Sequence, residues 1–231
     1  MNVFQVVRRD NLHLYHVDQI GWGHQGSIHK ISVEGETAAV KDIQSRGLPY
    51  RLLMGRWLLA REFRVYERLQ GLPGIPRLFH RIDPDGFIFE YVEGEPLSSF
   101  AKDAPLPPSF FDALARLIEA IHLKGVVHSD LKHKKNILVG PDCQPYLVDF
   151  GASWMAPSEG HFVKRWLYRQ FEQIDVAAVS KIRTRFAAGN PSINDREILS
   201  QRNVMEKCSD LYQWFYRFFS RKHRWKRRPR I

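Results

Sequence analysis

Between residues 128 and 151 the chain carries His128-Ser129-Asp130-Leu131-Lys132, then Asn136, then Asp149-Phe150-Gly151. An aspartate in such a loop can accept a hydroxyl proton and orient the attacking oxygen. An amide oxygen a few residues later can ligate Mg²⁺, and an aspartate ending an apolar strand is a natural ligand for the same ion. Lys132 can neutralise charge on a phosphoryl group in transit. Each piece also has a plain structural reading: His128 as a core histidine, Asp149 as a turn residue. In this order and at these separations they point together to phosphoryl transfer.

Two upstream features fit the same chemistry. Gly21-Trp22-Gly23-His24-Gln25-Gly26 is a G-x-G-x-x-G run. In a dinucleotide-binding turn it would lead into a helix. Here an alternating segment, SIHKISV, follows, which suits a hairpin flap whose backbone N–H groups cover phosphates; a simple glycine-rich hairpin remains the alternative. Ala39-Val40-Lys41 lies on the next strand. A lysine there can reach bound phosphates or be merely solvated. Glu62 favours the first reading, because it falls on the apolar face of a helix and a buried carboxylate needs a partner. Glu67, between Arg64 and Arg68, reads as solvated.

On these motifs the chain resembles the protein-kinase superfamily from about residue 14 to 187: GWGHQG, AVK, the helix glutamate, FEYVEG, HSDLK with its asparagine, and DFG. The resemblance implies ATP and Mg²⁺ as cofactors. It implies Gly21, Gly23, Gly26, Ala39, Lys41 and Glu62 around the nucleotide, with Glu90 and Val92 offering backbone contacts to adenine in front of Phe89. It implies Asp130 as catalytic base, Lys132 beside it, and Asn136 and Asp149 as metal ligands. Asp175 could correspond to a helix aspartate that braces the catalytic loop, or be an ordinary residue near a helix start.

The departures narrow the resemblance. Asn136 stands six residues after Asp130, where the pattern H-R-D-L-x-x-x-N has five. Ser129 replaces the arginine that reads a phosphorylated activation loop, so activation by that route is not expected. No A-P-E motif stands at a suitable distance. Compact chains of this kind are similar to the bacterial RIO-like kinases and the lipopolysaccharide-core sugar kinases. The resemblance therefore implies a membrane-associated saccharide hydroxyl as acceptor. A serine/threonine protein kinase and a membrane-tethered ATP-binding pseudokinase are the alternatives.

The elements needed to position these residues are legible in the pattern. Alternation predicts strands over LHLYHVDQI, SIHKISV and TAAVKDI, the last two joined by a turn at Glu34-Gly35-Glu36. Residues 51–70 switch to helical period, with Leu58, Glu62, Val65 and Leu69 on one face, and LPGIP ends the run. PRLFHRI and FIFEYV read as strands split by Asp83-Pro84-Asp85-Gly86. A helix opens at Pro107-Pro108. GVVHSD, NILVG and YLVDFG are short apolar segments, and the pattern beyond Trp154 is helical. The predicted fold is α+β, a compact bilobal kinase-like arrangement with a sheet-rich N-lobe over 1–93, a truncated helical C-lobe over 94–208, and a tail over 209–231.

Composition sets the remaining bounds. The chain has 231 residues, 44% hydrophobic and 26% charged, ordinary for a folded protein. No apolar stretch reaches the roughly 18 residues of a membrane span, and the N-terminus lacks a secretory pattern. Two cysteines, Cys143 and Cys208, are too few for a disulfide framework. The expected location is cytoplasmic, peripheral on the inner face of the membrane. The net charge of +10 is concentrated in residues 211–231, which hold eight Lys/Arg and no acid. Leu211, Trp214, Phe215, Phe218 and Phe219 form an apolar stripe beside them, a composition suited to an anionic membrane surface; packing on the C-lobe or RNA binding are the other readings.

Overall fold

The computed structural model describes residues 2–22, 26–100, 106–158 and 160–187. The predicted tail over 209–231, with its membrane and RNA readings, lies outside the described residues, as does Gly23.

The N-lobe is a five-stranded antiparallel sheet of β1 (His16–Trp22), β2 (Ser27–Val33), β3 (Glu36–Asp42), β4 (Leu78–Asp83) and β5 (Gly86–Glu90), in the order β1-β2-β3-β5-β4. β3 is central and covered on both faces, so Ala38, Ala39, Val40 and Lys41 are all buried. One face packs beneath the N-terminal segment, where Phe4 and Val7 meet Ile31, Val40 and Ile88. The first predicted strand starts four residues late. Leu12–Tyr15 is a helical turn, because the Asn11 side chain accepts from Arg8 N–H and donates to the Val6 carbonyl, curling the chain ahead of β1.

The other sheet face rests on helix α1 (Arg56–Leu69), which buries Leu58, Leu59, Glu62, Val65, Tyr66 and Leu69. The helical run begins earlier than residue 51, at Leu48, with Pro49 in its first turn and a π-turn over Arg51–Gly55. Gly71, at φ 82, terminates the run in the left-handed region. The start of the run is tied to the β4–β5 turn, where Asp85 accepts from both Arg51 and Arg56.

In the C-lobe, α2 (Pro108–Leu123) buries Phe110, Phe111, Leu114, Leu117, Ile118 and Ile121 at helical spacing. It packs on α3 (Phe162–Phe186). The lobe also holds short strands: β6 (Glu95–Pro96), β8 (Ile137–Val139) and β9 (Pro145–Leu147) in one sheet, and β7 (Val126–Val127) with β10 (Trp154–Met155) in another. One continuous core links α1 and the sheet to α2, β8 and Phe150. The α+β bilobal expectation holds.

Candidate active site

The site forms where the sheet, α1 and the loops flanking β8 and β9 meet. Lys41 on β3 and Glu62 on α1 are 3% and 1% exposed. Lys41 Nζ donates to Glu62 at 2.7 Å and to Asp149 Oδ1 at 2.9 Å. Burial opposes the Lys41 ammonium, but the Asp149 and Glu62 carboxylates outweigh it and hold its pKa above the ordinary lysine value. Burial pushes Glu62 up against the pull of Lys41. Desolvation also opposes ionisation of Asp149, yet Lys41, aided by His128 and the Gly151 backbone, draws it below its usual range. Lysine is therefore charged throughout the working range, and both carboxylates face one cation.

A cleft opens in front of this cluster, walled by Ile20, Ile28, Ala39, Phe89, Val92 and Leu138. Most of its lining is apolar, and Lys41, Glu62 and Asp149 form its charged cluster, a layout that takes a flat heterocycle against the apolar walls and phosphates at the cluster. Ala39 is 2% exposed, and its small side chain leaves the floor open. Glu90 is the last residue of β5 and Val92 lies on the connection leaving it, and both line the cleft. The Glu90 N–H donates to the Arg77 carbonyl at 2.8 Å within the sheet, so it is not a donor for a ligand. Gly21, one residue before the end of β1, pairs with Ile28, and Gly26 immediately precedes β2. A Cβ on Gly26 would lie 2.5 Å from the Asp42 carbonyl oxygen, so only glycine lets the flap approach β3 this closely.

The catalytic loop is held from below. Asp175 on α3 is fully buried and accepts from His128 N–H at 2.7 Å and Ser129 N–H at 2.9 Å. These bonds offset the left-handed backbone of Ser129, φ 64, which is costly for a residue with a side chain. The bracing reading of Asp175 thus has its geometry. His128 Nε2 donates to the Val148 carbonyl at 3.2 Å, which joins this loop to the end of β9. Asn136 donates its amide to the Asp130 carbonyl at 3.0 Å and to Asp130 Oδ2 at 3.2 Å. The amide oxygen of Asn136 is then the free end of that side chain. Lys132 is an exposed side chain on the loop, and Lys134 Nζ donates to its carbonyl.

Asp149 also has a left-handed backbone, φ 61, which turns Phe150 inward and leaves the carboxylate 43% exposed toward the cleft. Phe150 is buried between Tyr66, at 5.1 Å between ring centroids, and His128, at 4.9 Å. Asp149 and Asn136 are oxygen donors only. That set suits Mg²⁺, which is held by one or two protein oxygens and completes its shell with water and phosphates. Among the described residues no cluster of three or more His, Cys, Asp or Glu is arranged to hold a metal unaided.

Three participants carried no signal in the sequence. His133 Nδ1 lies 2.6 Å from Asp130 Oδ1. Arg61 donates from α1 to the Gly151 carbonyl. Tyr66 links Phe89 and Phe150. Each depends on a contact between segments far apart in the chain or on a turn whose shape the spacing alone did not specify.

Comparison with known proteins places these features in context. The protein kinase domain profile matches residues 14–181. Over 170 residues the chain is 31% identical to the serine/threonine-protein kinase PknH of Mycobacterium tuberculosis, covering 67% of this chain and 26% of that protein. It is 29% identical over 161 residues to the negative regulator of sexual conjugation and meiosis of Schizosaccharomyces pombe, covering 63% and 33%. It is 26% identical over 167 residues to phototropin-2 of rice, covering 66% and 18%. The chain therefore spans a third or less of the length of each of these relatives.

Proposed function

The chain belongs to the protein kinase domain family, and on that footing we propose that it transfers the γ-phosphoryl group of ATP to a hydroxyl, most simply that of a protein serine or threonine. The observation that carries this reading is Lys41, buried and bonded to both Glu62 and Asp149, in the charged cluster of a largely apolar cleft. A scaffold that only bound nucleotide would have no chemical use for Asp130 and Asn136, bonded to each other on the loop between β7 and β8.

In this reading the cleft takes the adenine and Lys41 holds the phosphates. The acceptor oxygen bonds to the γ-phosphorus as the bond from that phosphorus to the bridging oxygen of ADP breaks. Asp130 takes the hydroxyl proton. Asn136 and Asp149 would hold Mg²⁺, which supplies neutralisation of the phosphate charge.

The serine/threonine acceptor is supported by relatives named as serine/threonine-protein kinases. A membrane-linked saccharide rests on the resemblance of the catalytic-loop motifs to the lipopolysaccharide-core sugar kinases and on the composition of residues 211–231, and a peripheral membrane location rests on that composition. The deciding experiment is transfer from γ-labelled ATP to generic protein substrates and to lipopolysaccharide-core saccharides in parallel, with Asp149→Ala as control. Transfer to neither acceptor, or equal transfer by the Asp149→Ala variant, would sink the reading.

A further inference from the structure

Asp130 and Asn136 are six positions apart, and that separation has a geometric use. His133 N–H donates to the Asp130 carbonyl at 3.2 Å, and Asn136 N–H donates to the His133 carbonyl at 2.9 Å. Two successive i to i+3 turns thus share His133 as their joint. A five-residue separation cannot close both turns, since 130, 133 and 136 must all fall in register. The joint carries a histidine whose ring folds back onto the loop's own aspartate, with Nδ1 2.6 Å from Asp130 Oδ1.

A carboxylate only accepts hydrogen bonds, so Nδ1 must carry the proton. Asp130 then receives His133 on Oδ1 and Asn136 on Oδ2. Two donors from opposite sides fix the plane of the carboxylate and with it the direction in which the remaining lone pairs face. We infer that His133 is a positioning residue for the catalytic base: its Nδ1–H holds the Asp130 carboxylate in the orientation that receives the acceptor proton, and the extra residue of the loop exists to seat it. The inference rests on the reading of Asp130 as that base. His133 itself is 45% exposed at the side chain and lines no part of the nucleotide cleft, so it acts through Asp130 and not on ATP.

Two measurements on the full chain test it. Histidine-labelled ¹⁵N spectra report the protonation of each ring nitrogen. The His133 ring is expected to carry a proton on Nδ1 and to lose that preference in Asp130→Ala; a ring protonated on Nε2 alone overturns the inference whatever the activity. In steady-state turnover, His133→Ala is expected to lower kcat about 10- to 100-fold through misplacement of the base, with KM for ATP unchanged. His133→Asn places an amide nitrogen where Nδ1 stands and should recover much of the loss. His133→Gln places its amide one carbon further out and should not. Unchanged kcat in His133→Ala, or equal recovery by Asn and Gln, overturns the positioning role. A parent chain that transfers phosphate to no acceptor overturns the kinase reading, and the tautomer still decides whether the contact exists.

Discussion

Lys41 Nζ and the Glu62 carboxylate lie 2.7 Å apart, one on a central strand and one on the helix beneath it, both withdrawn from water. Removing the cation leaves a buried charge without its partner, which typically costs about 3–5 kcal/mol. Lys41→Met should lose about that much stability in a denaturant titration. The double variant Lys41→Met/Glu62→Leu should regain most of it, because an apolar pair is tolerated in the same space. Phosphoryl transfer should be absent from both. A double variant no more stable than the single one would show that the two side chains are not coupled.

Asp175 supports the loop through two backbone donors. In Asp175→Ala the N–H groups of His128 and Ser129 lose their acceptor while still buried, at about 1–3 kcal/mol for each orphaned donor. Global stability should fall by about 2–6 kcal/mol. The amides of residues 128 and 129 should exchange with solvent faster than those of α2. Unchanged exchange at those two positions would mean that the loop holds its own shape.

Asp130→Asn keeps the size of the side chain and removes its ability to take a proton. Turnover is expected to fall about 10²- to 10⁴-fold with ATP affinity nearly unchanged. A collapse of ATP affinity instead would make Asp130 a binding residue.

Asp85 supplies a pH-dependent term. The hydrogen bond from Arg56, opposed by burial and joined by Arg51, holds its carboxyl at about 2, below the ordinary 3.8. A carboxyl pKa lowered by folding stabilises the native state above the unfolded value, and the contribution fades as pH falls from about 4 toward 2. Asp85→Asn should therefore cost about 2 kcal/mol at neutral pH, and the gap from the parent should narrow between about pH 4 and 2 in urea titrations. A gap that widens in acid would contradict the assignment. Because Asp85 anchors the start of the helical run that carries Glu62, turnover at neutral pH should fall as well.

The division between what the sequence disclosed and what it hid is physical. Period-2 and period-3.6 patterns report burial, so β2, β3, α1 and α2 were legible. Glu62 was found because a charged residue on an apolar face contradicts its surroundings unless paired. Leu12–Tyr15 was misread because its pattern of large apolar residues says nothing of the Asn11 side chain that bends the chain there. The extra residue before Asn136 was visible as a count, but its meaning was not. Counting shows slack in a loop; only the two turns meeting at His133 show where the slack is spent. Asp175 had two readings until its carboxylate was seen beneath two N–H groups.

Phe89, Tyr66, Phe150 and His128 form an unbroken column of rings, with neighbouring centroids 5.5, 5.1 and 4.9 Å apart. Each ring comes from a different element: the sheet, the helix beneath it, the turn after Asp149 and the catalytic loop. Interiors this tightly packed respond to a single added or removed carbon. A lineage carrying this column therefore cannot drift one ring at a time. A larger residue at position 66 calls for a smaller one at 89 or 150, and neighbours in contact shift one another's tolerance. Heredity at this site acts on the column as a whole, so the four positions should be inherited, and lost, together.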